Sequence, residues 1–147
     1  MNSNPAYHVL VPILLAVVMN GWIYSVGLNK YSKSERKSPL IPPGYVIAVI
    51  WTLLFGLMGY THYLLGNFRS VASLALVGLI GFCLAYPLIT GLRVNSGLLM
   101  NLAALVLSFI VALLVIQESV YAFYWLIPLL AWTIYVNAVF VIECAKR

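Results

Sequence analysis

Five stretches of about twenty residues contain no Asp, Glu, Lys or Arg: approximately 7–28, 44–65, 71–92, 96–117 and 120–142. A helix needs about 20 apolar residues to cross the hydrocarbon core of a bilayer. The runs are continuously apolar and do not alternate, so their backbones are satisfied as helices and not as barrel strands. The expected fold is all-α: an integral membrane bundle of five transmembrane helices forming a single domain over 1–147. Composition agrees, because only 7% of residues are charged, against roughly 25% in a soluble domain. The first run has no Lys or Arg before Lys30 and no small-residue cleavage site, so it reads as a helix and not as a signal peptide.

The charges between the runs set an orientation. Lys30, Lys33, Arg36, Lys37, Arg93, Lys146 and Arg147 fall on one side, and Arg69 and Glu118 on the other. The positive-inside rule then places the N-terminus outside and the C-terminus in the cytoplasm. The net charge of +5 carries no basic stripe with interleaved aromatics. The expected partner is therefore the lipid bilayer with its anionic headgroups, and no nucleic acid. Cys83 falls within a span and Cys144 near the C-terminal end, so no disulfide and no metal site are expected.

Polar groups inside a bilayer are costly and therefore informative. No acid or base lies deep in a span, which argues against ion-coupled transport. Asn20, Trp51, Tyr86, Asn101 and Asn137 each lie about five to eight residues from the inner end of their run. At 1.5 Å per residue that is a common depth of roughly 8–12 Å. Two readings stand side by side: a pocket opening towards the inner side, and plain interhelical hydrogen bonding. Trp51, Phe55 and Met58 share a face, which reads as pocket wall or as core. His62, near the outer end of the second run, reads as a lone interfacial residue. Tyr60, Tyr63, Tyr121, Tyr124 and Trp125 read as an aromatic belt.

Small residues recur at helical spacing. Ala48, Thr52 and Gly56 form one stripe, and Ala104, Ser108 and Ala112 another. The third run carries Gly78, Gly81 and Ala85, a small-residue pattern expected to support either close packing within the chain or a homodimer. Pro42 and Pro43 stop the first loop and start the second helix.

The stretch KSPLIPPGYVIAVIWTLLFGLMGY, 37–60, resembles the loop and second helix of the TspO/MBR family, the translocator and tryptophan-rich sensory proteins. Lys37, Pro42, Pro43, Gly44, Val46, Trp51, Leu54, Met58 and Gly59 match its pattern, and Tyr45 and Phe55 are aromatic exchanges. LIPLLAWTIYVNA, 126–138, resembles the fifth helix through Pro128, Leu130 and Trp132, and YPLITGLR, 86–93, the end of the third. The resemblance implies a five-helix, commonly dimeric membrane protein of the bacterial envelope or mitochondrial outer membrane. It implies hydrophobic ligands: porphyrins such as protoporphyrin IX or haem, and sterols, with no required cofactor.

With the depth band, it gives a candidate ligand-binding set of Asn20, Tyr24, Tyr31, Pro43, Gly44, Ile47, Ala48, Trp51, Tyr86, Pro87, Asn101, Trp132, Tyr135, Val136 and Val139. Lys30, Lys33, Arg36 and Lys37 would meet ligand carboxylates, and the first loop would act as a lid. Residues 28–33 fit a loose sterol pattern.

The chain departs from the family at Leu40, Ala85, Asn101, Leu129 and Val139-Phe140, where other residues are usual. A less aromatic pocket is expected, and no catalytic residue. The leading expectation is a membrane receptor or transporter. Light-dependent porphyrin breakdown through Trp51 or Trp132 is the alternative, and a non-catalytic membrane scaffold the third reading. Nothing resembles a hydrolase triad, a carboxylate pair or a phosphate-cradling loop.

Overall fold

The computed structural model describes residues 4–27, 40–66, 68–92 and 97–145. They form the helices α1 (Pro5–Ser25), α2 (Gly44–Leu65), α3 (Val71–Leu92), α4 (Gly97–Glu118), α5 (Val120–Tyr124) and α6 (Ile127–Ala145). Helices α1 to α4 are each long and apolar enough to cross a membrane, and α5 with α6 supplies a fifth crossing over Val120–Glu143. The protein is an all-helical, multi-pass integral membrane protein.

The ends of α2 follow from local chemistry. Pro43 is its N-cap, with φ −55° and ψ 147°, the conformation a proline favours immediately before a helix. Gly66 ends it at φ 67° and donates its N–H to the Tyr63 carbonyl at 3.1 Å. A side chain at that φ would be strained.

The fifth run is not one helix. Pro128 has no N–H to give the Tyr124 carbonyl four residues back. The turn tightens there: Trp125 N–H donates to Ala122 O at 3.2 Å, and Leu126 N–H to Phe123 O at 2.9 Å. Ser119 caps α5, its hydroxyl accepting from Ala122 N–H at 3.1 Å.

The packing order is α1 on α2 and α3, α2 on α3 and α5, α3 on α4, and α4 on α5 and α6. Helix α4 buries one face, Gly97, Asn101, Ala104, Ser108, Val111, Ala112 and Val115, at the three-to-four-residue spacing of an inward stripe. Many large apolar side chains face outward, as a lipid-bathed surface requires: Leu14, Leu53, Leu74, Leu99 and Leu113 are all more than half exposed.

Helices α1 and α2 share the most extensive contact among the described residues. Pro12 cannot make the hydrogen bond to the His8 carbonyl that an α-helix calls for at that position. Gly59 sits against this carbonyl. A Cβ built on Gly59 would lie 2.0 Å from His8 O, 2.9 Å from His8 C and 3.2 Å from Pro12 Cγ. One Cα hydrogen of Gly59 therefore points at the oxygen, a weak C–H···O contact of about 0.5–1 kcal/mol. Gly56, one turn earlier, meets only the flexible Ile13 and Val9 side chains. Of the expected stripe, Gly56 faces α1, and Gly59 makes the tighter approach.

Candidate functional site

A cavity of about 290 Å³ lies among the helices, at the end where α1 finishes and α2 begins. That is near the lower edge of ligand pockets, roughly 300–1,000 Å³. Each crossing contributes to its wall. Asn20 and Ile23 come from the last turns of α1, and Gly44, Ile47, Ala48, Trp51 and Phe55 from the first half of α2. Cys83, Tyr86, Pro87 and Thr90 come from the end of α3, and Gly97, Asn101 and Ala104 from the start of α4. Helix α6 adds Trp132, Thr133, Tyr135, Val136, Asn137, Val139 and Phe140, and Ile41 and Pro42 close the approach to α2.

The five residues of the depth band, Asn20, Trp51, Tyr86, Asn101 and Asn137, all border this one cavity. Both readings of the band apply to the same residues. Tyr86 donates its hydroxyl to Asn101 Oδ1 at 2.5 Å, joining α3 to α4. Asn137 Nδ2 donates to the Asn101 carbonyl at 3.0 Å and to Thr133 O at 2.8 Å, joining α6 to α4. These bonds use only part of the polar capacity. Asn101 Nδ2, Trp132 Nε1 and Asn137 Oδ1 are buried and have no hydrogen-bond partner among the described residues. Leaving such a group unpaired costs about 1–3 kcal/mol. Pro87 adds a further polar feature, because it has no N–H to offer the Cys83 carbonyl.

Aromatic rings frame the apolar part. Trp51 lies 5.8 Å from Phe55 and 6.4 Å from Tyr86 between ring centroids. Trp132 stacks on Tyr135 at 5.6 Å. The Tyr135 hydroxyl reaches across to the Leu40 carbonyl at 2.7 Å, tying α6 to the residues preceding α2. A second, shallow apolar groove runs between α2 and α6 and includes Ile50, Leu53, Leu57, Pro128 and Ala131. It shares Pro42, Trp132 and Tyr135 with the cavity. Tyr135 therefore stands where the lipid-facing groove meets the interior.

Of the expected ligand-binding set, Asn20, Gly44, Ile47, Ala48, Trp51, Tyr86, Pro87, Asn101, Trp132, Tyr135, Val136 and Val139 border the cavity. Pro43 does not; it is exposed and serves as the N-cap of α2. The side chain of Tyr24 lies outside the described residues. So do Tyr31, the four cations Lys30, Lys33, Arg36 and Lys37, residues 29–39 of the loop expected to be a lid, and the sterol-like pattern at 28–33. Ile23, Ile41, Pro42, Phe55, Cys83, Thr90, Gly97, Ala104, Thr133, Asn137 and Phe140 also border the cavity and were not in the expected set. Asn137 carried a signal through its depth, and Phe55 through the face it shares with Trp51. For Cys83, Ala104 and Phe140 no periodic signal separated the cavity face from the rest of an apolar helix.

His62 departs from the expectation of a lone interfacial residue. Its Nδ1 lies 3.0 Å from Nδ1 of His8, at the end of the bundle opposite the cavity. Tyr60, expected in the aromatic belt, packs edge-on against Trp125 at 5.0 Å. Tyr121 and Tyr124 are exposed, as a belt requires. Gly78 and Gly81 are exposed, with none of the described residues within 4 Å of a Cβ built on either. Among the described residues no group of three His, Cys, Asp or Glu side chains could hold a metal ion.

Comparison with known proteins adds two matches. The sequence profile of the TspO/MBR family matches residues 8–141. Translocator protein 2 of Mus musculus is 36% identical over 118 residues, covering 73% of this chain and 72% of that protein. No solved structure matches.

Proposed function

This chain belongs to the TspO/MBR family, and we propose that it is a membrane receptor or transporter that binds a hydrophobic ligand of the porphyrin class in the cavity between its helices. The observation that carries this reading is the make-up of the cavity wall. An apolar, aromatic lining surrounds a few convergent polar groups whose hydrogen bonding is incomplete, the usual composition of a small-molecule site. A flat tetrapyrrole has faces for Trp51 and Trp132 and polar edges for Asn101 and the Trp132 indole N–H after a small side-chain rotation. At about 290 Å³ the cavity holds part of such a macrocycle, and the rest extends through the open end or into the groove between α2 and α6. That groove gives a lipid-dissolved ligand an apolar approach, with the Tyr135–Leu40 bond as its latch.

In the same proposal, the cation-rich side faces the cytoplasm, and the smooth outer face of α3 at Gly78, Gly81 and Ala85 serves a homodimer. Gly81→Ile is expected to convert a dimer to a monomer in detergent, read by light scattering after size exclusion. An unchanged mass would remove α3 as the contact.

The ligand class is tested with purified protein in lipid nanodiscs. Protoporphyrin IX is expected to bind saturably, beyond its partitioning into empty nanodiscs, and to resist displacement by excess cholesterol. Displacement by cholesterol would turn the reading towards a sterol site. Binding no greater than that to empty nanodiscs would contradict a ligand-binding role and favour a scaffold.

A further inference from the structure

The end of the bundle opposite the cavity holds a second cluster with its own chemistry. His8 lies in the first turn of α1 and His62 in the last turn of α2. Their rings are 5.1 Å apart between centroids, and the two Nδ1 atoms are 3.0 Å apart. Phe68 stacks on both, at 5.0 Å from His8 and 5.1 Å from His62, with interplanar angles of 19° and 23°. Gly59, one turn before His62, sets the close approach of the two helices. The pair is thus held by backbone packing and by a ring common to both imidazoles. It is only partly buried, three residues from each helix end, and lies within reach of water.

We propose that His8 and His62 form a two-imidazole site for a divalent transition-metal ion, with Cu²⁺ as the best-suited occupant. With metal–nitrogen bonds of about 2.0–2.1 Å, two nitrogens at a right angle are about 2.9 Å apart, and at a tetrahedral angle about 3.4 Å. The observed 3.0 Å falls between these and close to the right-angled case. Without metal, one Nδ1–H donates to the other Nδ1. On binding, that proton leaves Nδ1 and the ring takes a proton at Nε2, so both Nδ1 lone pairs face the ion and each ring stays neutral. Two metal–nitrogen bonds form, and two metal-bound waters are released.

No third His, Cys, Asp or Glu joins them among the described residues. The remaining positions therefore belong to exchangeable water or a small anion. Such an incomplete set suits tetragonal Cu²⁺ better than a closed structural zinc site, and Cu²⁺ stands highest in the affinity order for imidazole nitrogen. A bound ion would clamp α1 to α2 at this end. The proposal is independent of the porphyrin reading, since the two sites lie at opposite ends of α1 and α2.

The test is a Cu²⁺ titration of the full chain in nanodiscs, followed by electron paramagnetic resonance. The expected result is one Cu²⁺ per chain, with pulsed spectra that show two equatorial imidazoles. His8→Gln and His62→Gln are each expected to weaken binding roughly tenfold or more and to leave at most one imidazole in the spectrum. A single imidazole in the unaltered chain, or a signal that matches empty nanodiscs, would overturn the assignment whether or not the variants fold. Affinity unchanged in both variants would overturn it as well.

Discussion

Gly59→Ala is expected to be among the most damaging single-methyl substitutions in this protein. The added carbon would sit 2.0 Å from the His8 carbonyl oxygen and 2.9 Å from the carbonyl carbon. Both are backbone atoms, so no side-chain rotation relieves the clash. Helix α1 must move away from α2, and the His8–His62 contact and the packing of Pro12 go with it. Overpacking of this kind costs about 1–3 kcal/mol and occasionally more, and the rigid partner here places the effect at about 3 kcal/mol. Thermal unfolding in a mild detergent should show a fall of several degrees. Gly21→Ala is the control: it is exposed, and its new methyl meets none of the described residues within 4 Å, so the transition should stay within about 1 kcal/mol of the parent, the size of the Gly-to-Ala propensity difference in a helix. Equal stability of the Gly59 variant and the parent would contradict the helix register described here.

The second large effect concerns the cavity. Ala48 borders it and is otherwise exposed, so a bulkier side chain can enter the space without displacing the core. Ala48→Trp is expected to weaken protoporphyrin IX binding about a hundredfold, a loss of about 2.7 kcal/mol. The thermal transition should change little, because Met58, Leu76, Val115 and Leu126 at the centre of the core are untouched. Ala48→Ser should bind as the parent does. Full affinity in the tryptophan variant would place the ligand elsewhere.

Much of this architecture is legible in the sequence, for reasons that differ by element. Pro42 and Pro43 announce the start of α2, because a proline pair suits an extended entry followed by a first turn. The common depth of Asn20, Trp51, Tyr86, Asn101 and Asn137 is legible because helical rise is constant, and these residues share one cavity wall. Rotation about each helix axis is much less legible. A helix that is apolar all round gives little contrast between its lipid face and its inner face, so Cys83, Ala104 and Phe140 carry no mark of facing the cavity.

The interruption of the fifth run escapes a hydropathy reading for a related reason. Apolar character continues through 120–142, while Pro128 changes only the hydrogen bonding. The pairing of His8 with His62 depends on the register between two helices whose residues are 54 positions apart. Gly59 fixes that register, and a glycine in an apolar helix does not reveal which backbone it will meet. Pro12, which opens the His8 carbonyl to that contact, marks a free carbonyl on α1 but not the residue that meets it.

Quenching of tryptophan fluorescence reports whether the cavity between Trp51 and Trp132 receives a tetrapyrrole. Protoporphyrin IX would be titrated into the parent protein and into Trp51→Phe and Trp132→Phe, each in nanodiscs. Saturable quenching at micromolar or tighter affinity is expected in the parent. Each variant should show a smaller quenching amplitude and an affinity several-fold weaker, since an aromatic contact is worth about 0.5–1.5 kcal/mol. Linear quenching that is the same in all three proteins would contradict a tetrapyrrole in this cavity, because it would report partitioning into lipid and no site between these rings.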